Sequence, residues 1–156
     1  MNFITKLLLT VFFNLIALEV FTIDIPKDLI VKIIKESKKE EDIKTETSDL
    51  ISVKYTGWIF DSNAPTNSYC DAKGKIFDSN ILDTFHHTKA FQFILGKGYV
   101  IKGWDLGLQD MKINEQRCLV IPPQFAYGNR RIGNIIEPNS TLIFEVKLLK
   151  ILKVHE

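Results

Sequence analysis

The chain has 156 residues, 46% of them hydrophobic and 25% charged, with Gly 8 and Pro 5. That composition describes one globular domain able to bury a core and excludes disordered, collagenous and coiled-coil chains. Lys+Arg 20 against Asp+Glu 19 leaves a net charge of +1, which argues against a nucleic-acid partner. Cys 2 is too few for a disulfide scaffold, and no Cys/His cluster is spaced to hold zinc.

Residues 1–22 differ in kind from the rest. Lys6 precedes an apolar run from Leu7 to Leu18, interrupted by Thr10 and Asn14 and followed by Glu19. The run is shorter than the ~20 residues that cross a bilayer, so it predicts a cleaved secretory signal peptide that leaves no stable membrane span. Cleavage is expected between Leu18 and Ile23. The chain ends Lys153-Val154-His155-Glu156, which is not a usual retention tetrapeptide, so the endoplasmic reticulum lumen and secretion both stay open. Residues 23–49 are expected to be a strand and charged loop, 50–152 the domain core and 153–156 a tail.

Asp28–Lys35 is β-branched and apolar and predicts a strand; Lys35–Asp42 is a solvated run of mixed charge. Leu50–Tyr55 alternates and predicts a half-buried strand that Gly57 ends. Asp61–Gly74 is rich in Asn, Ser and Asp, holds one Pro and one Gly, and predicts a long loop. Short strands are expected at Lys75–Ser79 and Phe91–Leu95. Between them lies an irregular stretch in which His86 and His87 are expected to be ordinary loop residues, neither metal ligands nor a catalytic base. Trp104, Leu108 and Met111 recur at helical spacing within Ile101–Met111. Arg117–Ile121 predicts a strand halted by Pro122-Pro123. In Thr141–Lys150, Leu142, Phe144, Val146 and Leu148 fall on one face, with Ile143, Glu145 and Lys147 on the other. The expected class is α+β: a curved antiparallel sheet wrapped around one short helix.

No nucleophile elbow, P-loop, H-E-x-x-H or GxGxxG occurs, so neither a cofactor nor a metal is expected. What stands out is aromatics beside glycines and at element ends: Tyr55-Thr56-Gly57, Gly103-Trp104, Phe125-Ala126-Tyr127-Gly128. Residues so placed line an apolar cleft or simply fill a core.

Six pieces in order turn this pattern into a resemblance. They are Val53–Gly57, Phe77–Ser79, Phe91–Gly96, Val100–Asp105, Phe125–Gly128 and Glu137–Val146, and they cover about 50–152. The chain resembles the FKBP-type peptidyl-prolyl cis-trans isomerases. The resemblance implies a sheet of five or six strands curled on one helix, with the active cleft between them. It implies that Trp104 is the pocket floor and that Tyr55, Phe77, Phe91, Val100, Ile101 and Phe144 are walls. Ile136 matches an aliphatic contact before the last strand. Asp78, Tyr127 and the Ile101 backbone N–H match the polar groups that meet substrate carbonyls. Asp78 would stand near the carbonyl carbon or orient Tyr127.

The implied partners are proline-containing polypeptides and macrolides of the tacrolimus/rapamycin type, and the implied state is a monomer. The other reading is a binding module or chaperone on the same fold with little turnover. Two spacings are longer than in compact members: 19 residues between Gly57 and Phe77, and 12 between Asp78 and Phe91. No Arg lies in 79–90 to pair with Asp78, which leaves Lys89 as the stand-in. Asn139-Ser140-Thr141 is an N-glycosylation sequon. Cys118 is expected to point outward, away from Leu119 and Ile121. The family's strand order would put the Cys70 insertion and the Cys118 strand at opposite sheet edges, so the two are expected not to pair.

Overall fold

Apolar alternation builds one antiparallel sheet in the computed structural model, which describes residues 22–38 and 43–152. The expected signal peptide (apart from Thr22), residues 39–42 of the charged run and the tail 153–156 lie outside the described residues. The elements are β1 (Ile30–Lys35), β2 (Leu50–Phe60), β3 (Lys73–Ser79), β4 (Phe91–Ile94), α1 (Lys102–Gly107), β5 (Gln116–Ile121) and β6 (Leu142–Leu152). The strand order is β1-β5-β6-β2-β3, with β4 also paired to β2. This is the expected α+β architecture.

The two-residue period sorts β6 between two apolar layers. Leu142, Phe144, Val146 and Leu148 join Trp104 and Leu108 on the helix side. Ile143 joins Cys118 and Val120 on the outer side. Each such side chain contributes about 1.5–3 kcal/mol when fully buried.

Gly57 does not end β2. It pairs with both Phe144 and Asp78, and the strand continues to Phe60. A Cβ at Gly57 would meet Phe77 Cζ at 2.7 Å and Phe144 Cε1 at 2.8 Å. The glycine is there to admit two rings, a tertiary demand that overrides its poor strand propensity.

Helix α1 is shorter than the predicted Ile101–Met111. It lies directly on β5: a Cβ at Gly103 would fall 2.4 Å from Ile121 Cγ2. The buried Arg117 stops the helix. Its guanidinium donates to the carbonyls of Gly107 (2.9 Å), Gln109 (2.6 Å) and Asp110 (2.9 Å), and its Nε pairs with Glu115 at 2.5 Å. These bonds satisfy carbonyls that a helix end leaves open.

The insertion after β2 corrects the cysteine expectation. Cys70 and Cys118 form a disulfide with their Cα atoms 6.1 Å apart. The segment does not run off the sheet edge. It turns back across the outer face, where Ala64, Cys70 and Ala72 pack on Cys118, Val120 and Ile143, and Phe60 stacks on Tyr69. Cys118 points outward as expected. The loop is not wholly irregular, since Tyr69–Asp71 form a 3₁₀ turn and β3 begins at Lys73.

Candidate active site

The helix-side layer is not filled to the surface. It opens into a cavity of about 310 Å³. Trp104, 4% exposed, lies in it and meets Tyr55 edge-on at 5.1 Å, Phe144 at 5.2 Å and Phe91 at 6.1 Å. Phe77 stands edge-on to Phe144 at 5.4 Å. Edge-to-face packing of this kind fixes ring orientation as well as burying area.

The opposite lining comes from Val100 and Ile101 at the start of α1. Asp105 holds that approach in place: its Oδ1 and Oδ2 accept the N–H groups of Gly96 and Gly98, each at 2.8 Å. Ile101 caps α1 with its carbonyl, which accepts from Trp104 N–H at 2.9 Å. Its own N–H has no partner among the described residues. Tyr99, 70% exposed, also lines the cavity and was not predicted. Its signal was available, an aromatic directly after Gly98.

Two polar side chains, Asp78 and Tyr127, complete the lining. Tyr55 does more than form a wall: its O–H donates to Asp78 Oδ2 at 2.6 Å. Asp78 therefore orients Tyr55 rather than Tyr127, whose hydroxyl bonds to no side chain among the described residues. Burial pushes the Tyr55 phenol well above its ordinary range, and the hydrogen bond to Asp78 and that carboxylate's charge add to it. Burial also raises Tyr127, as does the Asp78 charge, with Arg130 opposing. Both phenols stay protonated at neutral pH and act as donors.

Ile136 is not brought to this cavity. It lines a neighbouring one of about 220 Å³ that shares Phe77, Asp78 and Tyr127 with the first. Ile132 and Ile136 close that loop on each other with N–H···O=C bonds of 2.9 and 3.2 Å. The expected stand-in beside Asp78 is also corrected. It is His87, whose Nε2 lies 2.9 Å from Asp78 Oδ1. Lys89 instead gives only its backbone carbonyl, to Asn80. His87 is therefore not an ordinary loop residue; 3₁₀ turning at Asp83–Phe85 carries it back toward β3. Among the described residues no group of three or more His, Cys, Asp or Glu gathers to hold a metal, and no helix is long and apolar enough to cross a membrane.

An aromatic cavity with donors at its rim and no nucleophile suits recognition of an apolar ring beside carbonyls. A family profile described as FKBP-type peptidyl-prolyl cis-trans isomerase matches residues 41–149. The chain belongs to that family. FK506-binding protein 2 of Kluyveromyces lactis is 38% identical over 151 residues, covering 97% of this chain and 94% of the relative. FK506-binding protein 1 of Saccharomyces cerevisiae is 38% identical over 106 residues, covering 68% of this chain and 79% of the relative. FK506-binding protein 2B of Rhizopus delemar is 42% identical over 108 residues, 69% of this chain but 44% of the relative. The protein is an FKBP-type peptidyl-prolyl cis-trans isomerase.

Proposed function

We propose that this isomerase acts on proline-containing polypeptides of the secretory pathway and that the aromatic cavity is its active site. The observation that carries the site is the union of Trp104 and its ring neighbours with two protonated phenols and the free N–H of Ile101 in one opening.

Rotation about an X–Pro bond faces a barrier of about 18–20 kcal/mol set by amide resonance. No bond is made or broken, so neither a nucleophile nor an acid–base pair is needed. The planar amide is the more charge-separated form, and a dry cavity solvates it poorly relative to the twisted transition state. In this reading Trp104, Phe77, Phe91 and Phe144 hold the proline ring and exclude water. The Tyr127 O–H donates to a substrate carbonyl, and the Ile101 N–H to the carbonyl beyond the proline. Asp78 fixes Tyr55 and places a carboxylate beside the reacting amide.

Secretory residence is supported by the apolar run Leu7–Leu18 behind Lys6 and by the Cys70–Cys118 bond, since disulfides persist mainly in oxidising compartments. N-terminal sequencing of the protein from its native host should find a start between Leu18 and Ile23; intact Met1 in a membrane fraction would overturn this. Asn139 is exposed, and its N–H donates to the Gly128 carbonyl at 2.8 Å, beside the loop that carries Tyr127. Secretory residence makes this sequon chemically open to a glycan, while its place beside the cleft disfavours one; a glycosidase mass shift that Asn139→Gln abolishes would show occupancy.

The relatives are named for binding FK506, and we assign macrolide binding of that type to the same cavity in competition with the proline ring. Proline-limited refolding of a model protein, with the isomerase at substoichiometric concentration, tests this. Acceleration that FK506 abolishes is expected. FK506 binding without acceleration would instead favour a binding module on the same fold.

A further inference from the structure

We propose that His87 is a positioning residue for isomerisation, acting through Asp78. The proposal rests on the active-site reading above.

Each oxygen of the Asp78 carboxylate has its own partner. Oδ2 accepts from the Tyr55 hydroxyl at 2.6 Å, and Oδ1 lies 2.9 Å from His87 Nε2. A carboxylate held at both oxygens cannot swing about its terminal bond, so its charge stays at one place in the cavity wall. Fixed charge and fixed geometry are what a preorganised site requires.

The loop that delivers His87 is built to hold it there. At its start Asn80, 1% exposed, accepts the Tyr55 N–H at 2.7 Å and donates to the Val53 carbonyl at 3.1 Å. The same amide donates to the Lys89 carbonyl at 3.1 Å, so one buried side chain ties both ends of the loop to β2. The Lys54 ammonium bridges the carbonyls of Asn80 and Thr88. Just before His87 the chain reverses at His86, in the left-handed region at φ 57°, whose N–H closes on the Asp83 carbonyl at 3.0 Å. Phe85 sets its ring edge-on to the His87 imidazole at 6.4 Å. No arginine lies between 79 and 90, so the imidazole is the group this loop offers Asp78.

The His87 side chain is 51% exposed and that of Asp78 36%, so the pair contributes little to folding and its loss is read in turnover. The experiment measures kcat and KM for an X–Pro peptide with the full chain, together with the thermal midpoint. His87→Leu removes the nitrogen and should lower kcat about 2- to 5-fold, with KM and the midpoint unchanged. His87→Gln keeps a nitrogen near the Nε2 position and should restore at least half of the lost rate. In an Asp78→Asn background, which removes the charge and keeps the shape, His87→Leu should have no further effect. A His87→Leu protein with wild-type kcat would overturn the proposal and leave the active-site reading standing. So would an equal loss of rate in the Asp78→Asn background, or a His87→Gln protein as slow as His87→Leu. Wild-type protein that does not accelerate isomerisation would overturn both.

Discussion

The two faces of one sheet are finished in opposite ways. On the helix side, rings packed edge-to-face leave about 310 Å³ open, and the Trp104 indole N–H is buried with no partner among the described residues. On the outer side, the insertion lies flat on Val120 and Ile143 and is locked by the Cys70–Cys118 bond. Neighbouring residues serve the two faces: Phe144 lines the cavity while Ile143 lies under the insertion, and Leu119 packs toward the helix while Cys118 holds the bridge. The helix side keeps an open aromatic cavity; the outer side is closed where the insertion covers Val120 and Ile143, and open beside it, where about 270 Å³ is lined in part by Lys54, Gln116, Glu145 and Lys147. Strand alternation therefore lets the bracing of the outer face be changed without touching the cavity.

Five perturbations break or sharpen that division. Trp104→Ala opens the floor of the cavity and should cost about 3–5 kcal/mol by chemical denaturation. Trp104→Leu, which keeps an apolar floor, should retain partial activity, so the ring is not a pure stability element. Cys70→Ala combined with Cys118→Ala frees a sequence separation of 48 and should cost about 2–4 kcal/mol, while kcat/KM of the folded protein holds. A matching fall in kcat/KM would show the faces to be coupled. Tyr127→Phe removes one neutral hydrogen-bond donor worth about 0.5–1.5 kcal/mol, a roughly 2- to 12-fold fall in kcat/KM with the unfolding midpoint unmoved. The smallest effect is in pH. Because Tyr55 and Tyr127 are both raised, they remain protonated and kcat/KM should stay level from about pH 7 to 9. The folded state keeps these protons above the unfolded phenol value of about 10, so stability from them is complete below about pH 10 and falls as pH rises further. A loss of rate between pH 7 and 9 that disappears in Tyr127→Phe would contradict the raised phenol.

The helix side was legible because it is written in local pattern. Leu142, Phe144, Val146 and Leu148 announce their face by alternation alone; the site residues came instead from the family resemblance, and nine of those ten line the main cavity, with Ile136 in its neighbour. The outer side was not, because Asp61–Gly74 has no period to say where it goes. Its path depends on Ala64 and Ala72 finding Ile143, a contact across a distant part of the chain. The family's strand order therefore separated two cysteines that bond. Gly57 misled for a related reason: its role is set by Phe77 and Phe144, not by its neighbours in sequence. His87 was hidden by the reversal at His86, which no spacing rule exposes.

The most direct test compares two folded variants in one proline-limited refolding assay at substoichiometric enzyme. Tyr127→Phe should accelerate refolding less than the unmodified protein does, by roughly 2- to 12-fold in kcat/KM. The Cys70→Ala/Cys118→Ala protein, held below its unfolding midpoint, should match the unmodified protein. An unchanged rate in Tyr127→Phe together with a slowed disulfide-free protein would contradict the assignment of recognition to the helix-side cavity and of bracing to the outer face.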